Sequence, residues 1–199
     1  RLRMETIKWA AEAGHSERLV NNSIYKGVKD TELQNLKDCG VKASIILCDN
    51  PQDDSVDGKL GVLPGILEMA DQAGIEGALI DTAMPSWGIG VGAGLRSIYV
   101  IKEMYGDKGA VGTGIGNVSD TLGWVKGNFS KEVKKATDAA QNAILPMIGC
   151  DWIMFGPIEF AEFVFPAVAV VDTYILTATA ELGTRPAVEG MHPLFKLVG

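Results

Sequence analysis

Histidine, cysteine and basic side chains are scarce in this sequence, and each scarcity excludes a class of function. The 199 residues contain 2 histidines, 3 cysteines, and 18 lysines and arginines against 25 aspartates and glutamates, which gives a net charge of -7. A chain with this acidic excess has no broad basic face, so we expect no nucleic-acid partner. His15 and His192 lie at opposite ends of the sequence, so a nucleophilic triad built on histidine is not expected.

The three cysteines, Cys39, Cys48 and Cys150, are odd in number, widely spaced and in no Cys-x-x-Cys pair. This pattern favours free thiols in a reducing compartment over a disulfide framework, and we predict a cytoplasmic protein. Because the cysteines fall on different predicted elements, they are not expected to form a zinc site. No metal is predicted.

The most apolar run, residues 160–182, is nearly long enough to span a bilayer. Asp172 lies at its centre, Pro166 interrupts it, and no lysine or arginine flanks its start. A charge at the centre of a membrane span is costly, and such spans are normally flanked by basic residues. We therefore predict a buried helix of a soluble protein.

Five short apolar runs alternate with longer stretches of helical period, which predicts an α/β fold with a parallel sheet. Strands are predicted at 18–23, 43–48, 78–82, 110–114 and 151–156, and helices at 2–13, 30–38, 63–73, 95–105 and 133–147. The strand spacing is close to the ~30 residues per unit of an eight-stranded barrel. Five units form either an open sheet or the last five units of a barrel whose first three precede Arg1.

Polar side chains without any lysine, arginine or histidine follow the predicted strands. They are Asn22, Ser23, Asn50, Asp81, Asn117 and Glu159. Ligands of parallel α/β folds bind at the carboxyl ends of the strands. Amides and carboxylates suit a neutral ligand rich in hydrogen-bond donors and acceptors, such as a pterin or a guanine-like edge. The alternative is that these residues only form turns and cap helices.

Several motifs together resemble the family of H subunits of tetrahydromethanopterin S-methyltransferase. They are NNSIYKG, ALIDTA, GLRSIYVIKEMYG, GTGIGN and DWIMFGPIEFAEFVFPAVAVVDT. The resemblance implies a (β/α)8 TIM barrel of the pterin-binding type. It further implies that residues 1–199 form a single domain truncated to strands four to eight, with about three βα units missing ahead of Arg1.

The resemblance also implies an enzyme that moves the N5 methyl group of methyl-tetrahydromethanopterin or methyl-tetrahydrofolate to or from the cobalt(I) of a corrinoid on a partner protein. Alternatives are the tetrahydrofolate-dependent relatives that serve methylamine or glycine betaine demethylation, dihydropteroate synthesis, and a catalytically silent barrel that scaffolds a methyltransferase complex. A homodimer and a position peripheral to a membrane methyltransferase complex are further expectations.

The same resemblance assigns roles to individual residues. Asn22, with Ser23 beside it, would contact the pterin ring, and Asp81 would accept the N–H donors of its pyrimidine edge. Asn117 would be the catalytic residue that hydrogen-bonds N5. Asn50 and Glu159 are expected to complete the pterin site from their positions at strand ends.

Overall fold

Five parallel strands alternate with helices in the structure, a computed structural model that describes residues 2–85, 90–116, 118, 127–186 and 190–197. The strands are β1 (Val20–Ile24), β2 (Ala43–Leu47), β3 (Gly77–Asp81), β4 (Ala110–Thr113) and β5 (Trp152–Ile153). The helices are α1 (Leu2–Glu12), α2 (Asp30–Asp38), α3 (Val56–Gln72), α4 (Val91–Tyr105), α5 (Lys131–Met147), α6 (Ala161–Ala180) and α7 (Leu194–Leu197). The predicted α/β class and the predicted order of elements are confirmed.

The strands follow one another across the sheet in chain order, β1-β2-β3-β4-β5. Ile46, Ile80 and Val111 form a row across β2, β3 and β4, are fully buried, and belong to one core cluster with residues of the helices. Leu47 and Leu79 are half-buried and lie outside that cluster. A doubly wound sheet would reverse its strand order and cover both faces, whereas a barrel segment does neither. The architecture is consistent with part of a barrel.

The helix ends follow local rules that the sequence already carries. Gly74 adopts a left-handed φ of 75° directly after α3, as predicted for a glycine that caps a helix. The Ser55 hydroxyl accepts a hydrogen bond from the Gly58 amide, and Ser130 accepts one from the Val133 amide at the start of α5. These caps satisfy amide groups that a helix cannot pair internally.

Strand β5 contains two residues instead of the predicted six. Gly112 pairs with Trp152 and Thr113 pairs with Ile153. The Asp151 amide donates to the Val111 carbonyl oxygen at 2.7 Å, while the Asp151 carboxylate accepts the Val111 amide at 3.0 Å, so a side chain supplies one of the two hydrogen bonds at that point. Because β5 is hydrogen-bonded to β4 alone among the described strands, nothing extends the pairing on its other edge.

The predicted helix at residues 160–182 is present as α6, but the prediction that this helix is buried is wrong. Only Val164 and Leu176 of α6 are buried, while Phe165 and Tyr174 are 62% and 64% exposed. The helix packs mainly on α5, and no other described element covers its remaining faces to the same extent. Among the described residues, the stretch Ile158–Ala180 is long and apolar enough to cross a membrane, by length and composition alone.

A glycine in β4 allows that strand to approach β5 closely. A Cβ atom at Gly112 would overlap the carbonyl oxygen of Trp152 and lie 2.6 Å from its ring, whereas a Cβ at Gly114 would lie 3.7 Å from Met154. We expect Gly112→Ala to destabilise the protein by ~2 kcal/mol, the cost of overpacking a tight site. Gly114→Ala is the matched control, because both changes restrict the unfolded chain equally. Urea denaturation of both variants checks this, and equal midpoints would contradict it.

Candidate functional site

Asp81 ends β3 at the carboxyl edge of the sheet, between Leu47 of β2 and Gly112 of β4. Its side chain is buried, and its Oδ1 accepts hydrogen bonds from the Ala83 amide at 2.9 Å and the Thr113 hydroxyl at 3.1 Å. No hydrogen bond from another described residue reaches its Oδ2. A carboxylate oxygen can accept two such bonds, so Asp81 retains acceptor capacity for a ligand.

Lys59 adds a positive charge to this site. Its side chain is fully buried, and its Nζ lies 2.5 Å from Asp54 Oδ1 and 3.1 Å from the Ala83 carbonyl oxygen. The residues directly after the strands include no lysine, as the sequence indicates, and Lys59 reaches the site from the first turn of α3 instead.

A signal for Lys59 is present in the sequence. It precedes Leu63, Ile66 and Ala70 with the helical spacing of α3's apolar stripe, and all three are buried. A lysine in a position that the helical period assigns to the core must pair with an acceptor inside the protein. The partners themselves are not predictable from the spacing, because Asp54 and Ala83 belong to different loops.

Burial and charge act in opposite directions on Asp81. Desolvation raises the pKa of its carboxyl, while the hydrogen bonds from Ala83 and Thr113 and the positive charge of Lys59 lower it. Cys48, at the end of β2, is also buried, and desolvation together with the charge of Asp81 raises the pKa of its thiol to about 12. The thiol is therefore neutral and unreactive at physiological pH. All three cysteines are free, as predicted.

Asn50 lies next to this group, in the loop after β2. Its Nδ2 donates to the Gly58 carbonyl oxygen at 2.9 Å, so it is tied to the residue that precedes Lys59. Its Oδ1 is buried and has no hydrogen-bond partner within the part of the chain that the structure describes. Buried acceptors are usually paired, so this oxygen has acceptor capacity that no described residue uses.

Strand β1 directs Asn21, rather than Asn22, into the protein. Asn21 is buried, donates to the Ser44 hydroxyl at 2.9 Å, and leaves its Oδ1 without a partner among the described residues. The Asn22 side chain is exposed and the Ser23 side chain is buried. The β1–β2 register shifts between Asn21 and Ile24, so simple alternation along the strand does not predict which asparagine faces inward.

The glycine loop after β4 approaches the end of β5. A Cβ atom at Gly116 would lie 3.0 Å from the Gly156 backbone, and one at Gly156 would lie 3.2 Å from Asp138 Oδ2. These glycines therefore permit close contact between neighbouring chain segments. Asn117, the predicted catalytic residue, lies outside the described residues.

Glu159 is located apart from the other predicted site residues. It belongs to a short 3₁₀ turn, Ile158–Phe160, is exposed, and lies 3.5 Å from Lys131 of α5. No described contact connects it with Asp81 or Asn50. An exposed ion pair of this kind contributes little to stability. The structure thus brings Asp81, Asn50, Thr113 and Lys59 together, and leaves Glu159 at a separate position.

Comparison with known proteins identifies the family. The family model described as "Tetrahydromethanopterin S-methyltransferase MtrH subunit" matches residues 1–187. Relatives named as the H subunit of tetrahydromethanopterin S-methyltransferase are 38% identical in Methanococcus vannielii, 37% in Methanocaldococcus jannaschii and 36% in Methanothermobacter thermautotrophicus. Each alignment covers 98% of this chain and 65% or 66% of the relative, so the chain spans about two thirds of their length. On this match, the chain belongs to the MtrH family of tetrahydromethanopterin S-methyltransferase subunits.

Proposed function

We propose that the complete protein is a methyltransferase that moves the N5 methyl group between methyl-tetrahydromethanopterin and the cobalt(I) of a corrinoid carried by a partner protein. Family membership supports the pterin, because the relatives are named for it. The observation that carries the proposal is the buried Asp81 carboxylate, which holds Oδ2 open at the carboxyl edge of the sheet. The use of methyl-tetrahydrofolate by the demethylating relatives remains the alternative.

The pyrimidine edge of a reduced pterin carries N–H donors in parallel. A carboxylate that is fixed by Ala83 and Thr113 can accept such donors without reorganising. The unpaired Oδ1 atom of Asn50, in the loop after β2, offers a further acceptor. Asn22 and Ser23 would contact the ring from β1. Glu159 would contribute to the pterin site only from the side of β5. None of its described contacts supports such a contribution.

The proposed reaction breaks the N5–methyl bond and forms a cobalt–methyl bond. The electron pair of cobalt(I) makes the new bond, N5 keeps the pair of the broken bond, and a proton from solvent neutralises N5. A tertiary amine leaves poorly unless a donor stabilises the charge that develops on nitrogen. We assign this hydrogen bond to Asn117, because a donor that binds N5 more strongly in the transition state lowers the barrier.

A closed (β/α)8 barrel is part of the proposal. The half-buried sheet face with Leu47 and Leu79 and the exposed surface of α6 would be covered by further strand–helix units in the complete protein. The expected homodimer, the corrinoid-carrying partner and a cytoplasmic position peripheral to a membrane complex belong to the same proposal. Their support is that the relatives are named as subunits.

Dihydropteroate synthesis gains no support from Lys59. That reaction needs basic groups near a diphosphate, whereas the Lys59 ammonium is fully buried and already bound to Asp54 and Ala83. A ligand anion would have to displace both partners. The remaining alternative, a silent scaffold, is separated by experiment.

The proposal predicts that the complete protein binds methyl-tetrahydromethanopterin and transfers its methyl group to free cob(I)alamin. Calorimetric titration with methyl-tetrahydromethanopterin, and with methyl-tetrahydrofolate for comparison, measures binding. The visible spectrum then follows the conversion of cob(I)alamin to methylcobalamin. A silent scaffold would show neither binding nor transfer, and preferential binding of methyl-tetrahydrofolate would favour the demethylating relatives.

A further inference from the structure

Lys59 is a buried lysine for which the packing of the fold provides no reason. It occupies a position of α3's apolar stripe, where a methionine or leucine would fill the same space without a charge. Replacing a buried ion pair by apolar residues is often neutral or stabilising, because removing charges from water is costly. The presence of an ammonium here therefore calls for a role other than stability.

The contacts of Lys59 connect two loops at the carboxyl edge of the sheet. Asp54, in the β2–α3 loop, is half exposed and neutralises the ammonium from the solvent side. The Ala83 carbonyl, in the loop after β3, accepts the second hydrogen bond. Lys59 thus ties the chain that follows Asp81 to the start of α3.

Ala83 itself is held in an unfavourable backbone conformation. Its φ is 52°, in the left-handed region that residues with a Cβ adopt at a cost of ~1 kcal/mol. Two contacts hold it there, because its amide donates to Asp81 Oδ1 and its carbonyl accepts from Lys59 Nζ. The conformation of Ala83 determines where its amide meets the carboxylate, so Lys59 acts on Asp81 through Ala83.

We propose that Lys59 is a positioning residue that fixes the Asp81–Ala83 turn, so that the Asp81 carboxylate is oriented towards ligand N–H donors. This inference rests on the proposed pterin-binding role of Asp81. It assigns to α3 a function in a site that otherwise consists of strand-end residues. Lys59 touches no ligand itself, because its ammonium is fully buried behind Asp54 and Ala83.

The pH dependence of ligand binding reports this role. In the described part of the chain, Cys48 and Lys59 are the titratable groups that interact with Asp81. The Cys48 thiol is neutral, and Thr113 of β4 does not titrate. Desolvation raises the pKa of Asp81 and Lys59 lowers it. Protonation of Asp81 removes the acceptor, so binding is lost as the pH falls. Without Lys59 the pKa of Asp81 rises further, and the loss begins at a higher pH.

Two variants separate the charge of Lys59 from its hydrogen bond. Lys59→Gln keeps a donor for the Ala83 carbonyl and removes the charge, whereas Lys59→Met removes both. Lys42→Met is the matched control, because Lys42 pairs with Glu76 at the same 2.5 Å at the other ends of β2 and β3, but on the surface. Binding of methyl-tetrahydromethanopterin to the complete protein is measured by calorimetry across the pH range, after thermal unfolding has shown that each variant folds.

Lys59→Gln is expected to match wild type at high pH and to weaken binding by ~10-fold as the pH falls, because without the Lys59 charge the Asp81 carboxyl is protonated at a higher pH. Lys59→Met is expected to weaken binding at every pH and further at low pH, and Lys42→Met to follow wild type. Profiles for both Lys59 variants that run parallel to wild type would overturn the inference. Failure of both variants to fold would also overturn it, because Lys59 would then serve the whole sheet.

Different experimental outcomes would contradict the proposed function and this inference about Lys59. If wild-type protein binds no methylated pterin, the role of the site is wrong whatever Lys59 does. If wild type binds, Asp81→Asn abolishes binding and the Lys59 variants keep the wild-type profile, the site stands and the role of Lys59 is wrong.

Discussion

Asp81→Asn is expected to weaken binding of methyl-tetrahydromethanopterin by ~100-fold or more. Asparagine can keep the two hydrogen bonds that Ala83 and Thr113 donate to Oδ1. Its amide group then replaces Oδ2, so a donor faces the N–H donors of the ligand. Loss of hydrogen bonds to a charged group costs ~1.5–3 kcal/mol each, and ~2.7 kcal/mol corresponds to a 100-fold change in affinity.

The same substitution is expected to leave the free energy of unfolding at neutral pH unchanged or to raise it. Burial raises the folded-state pKa of Asp81 above its unfolded value. Such a group contributes stability below the unfolded pKa, and that contribution is lost as the pH rises through the folded pKa. Asparagine does not titrate, so the stability of the variant relative to wild type should increase from acidic to neutral pH.

Calorimetric titration for binding and urea denaturation at several pH values test both expectations. Asp49→Asn is the matched control, since Asp49 follows the neighbouring strand β2, is exposed, and carries the same charge. Binding by Asp81→Asn at wild-type affinity would contradict the assignment of Asp81. A large loss of stability would instead indicate that the carboxylate is needed for folding.

Asn117→Ala is expected to slow methyl transfer by ~100-fold or more, the usual loss when a group that stabilises developing charge is removed. The proposed hydrogen bond to N5 strengthens as the N5–methyl bond breaks, so the effect should fall on the rate of the chemical step and much less on pterin affinity. Asn117 follows the glycine loop of β4 in the sequence, and its family motif GTGIGN is the basis for the assignment.

Single-turnover kinetics with saturating methyl-tetrahydromethanopterin and cob(I)alamin measure this step directly. Asn35→Ala provides the comparison, because the Asn35 side chain donates to Thr31 within α2, away from the strand ends. A near-native single-turnover rate for Asn117→Ala would remove Asn117 from the mechanism. An equal loss in pterin affinity and rate would make it a binding residue only.

The amino-acid sequence determined the order and the approximate bounds of the elements, because hydrophobic period and capping residues are local. The α2 bounds and the cap at Gly74 agree with the structure, and β2, β3 and β4 differ from prediction by a residue at most at each end. The position of Asp81 is predictable because parallel strands place their ends at one edge of a sheet. Membership of the family was predicted from sequence motifs, and recognising such motifs does not require a structure.

Tertiary structure alone decided the features that depend on distant partners. Lys59 is buried because Asp54 and Ala83 meet it from two loops, and Asn21 faces inward because it pairs with Ser44 of β2 and donates to its hydroxyl. The length of β5 depends on which strand edges are paired, and the exposure of α6 depends on which helices cover it. Spacing along one chain segment carries no information on partners that only folding brings near, and burial and pKa shifts depend on those partners.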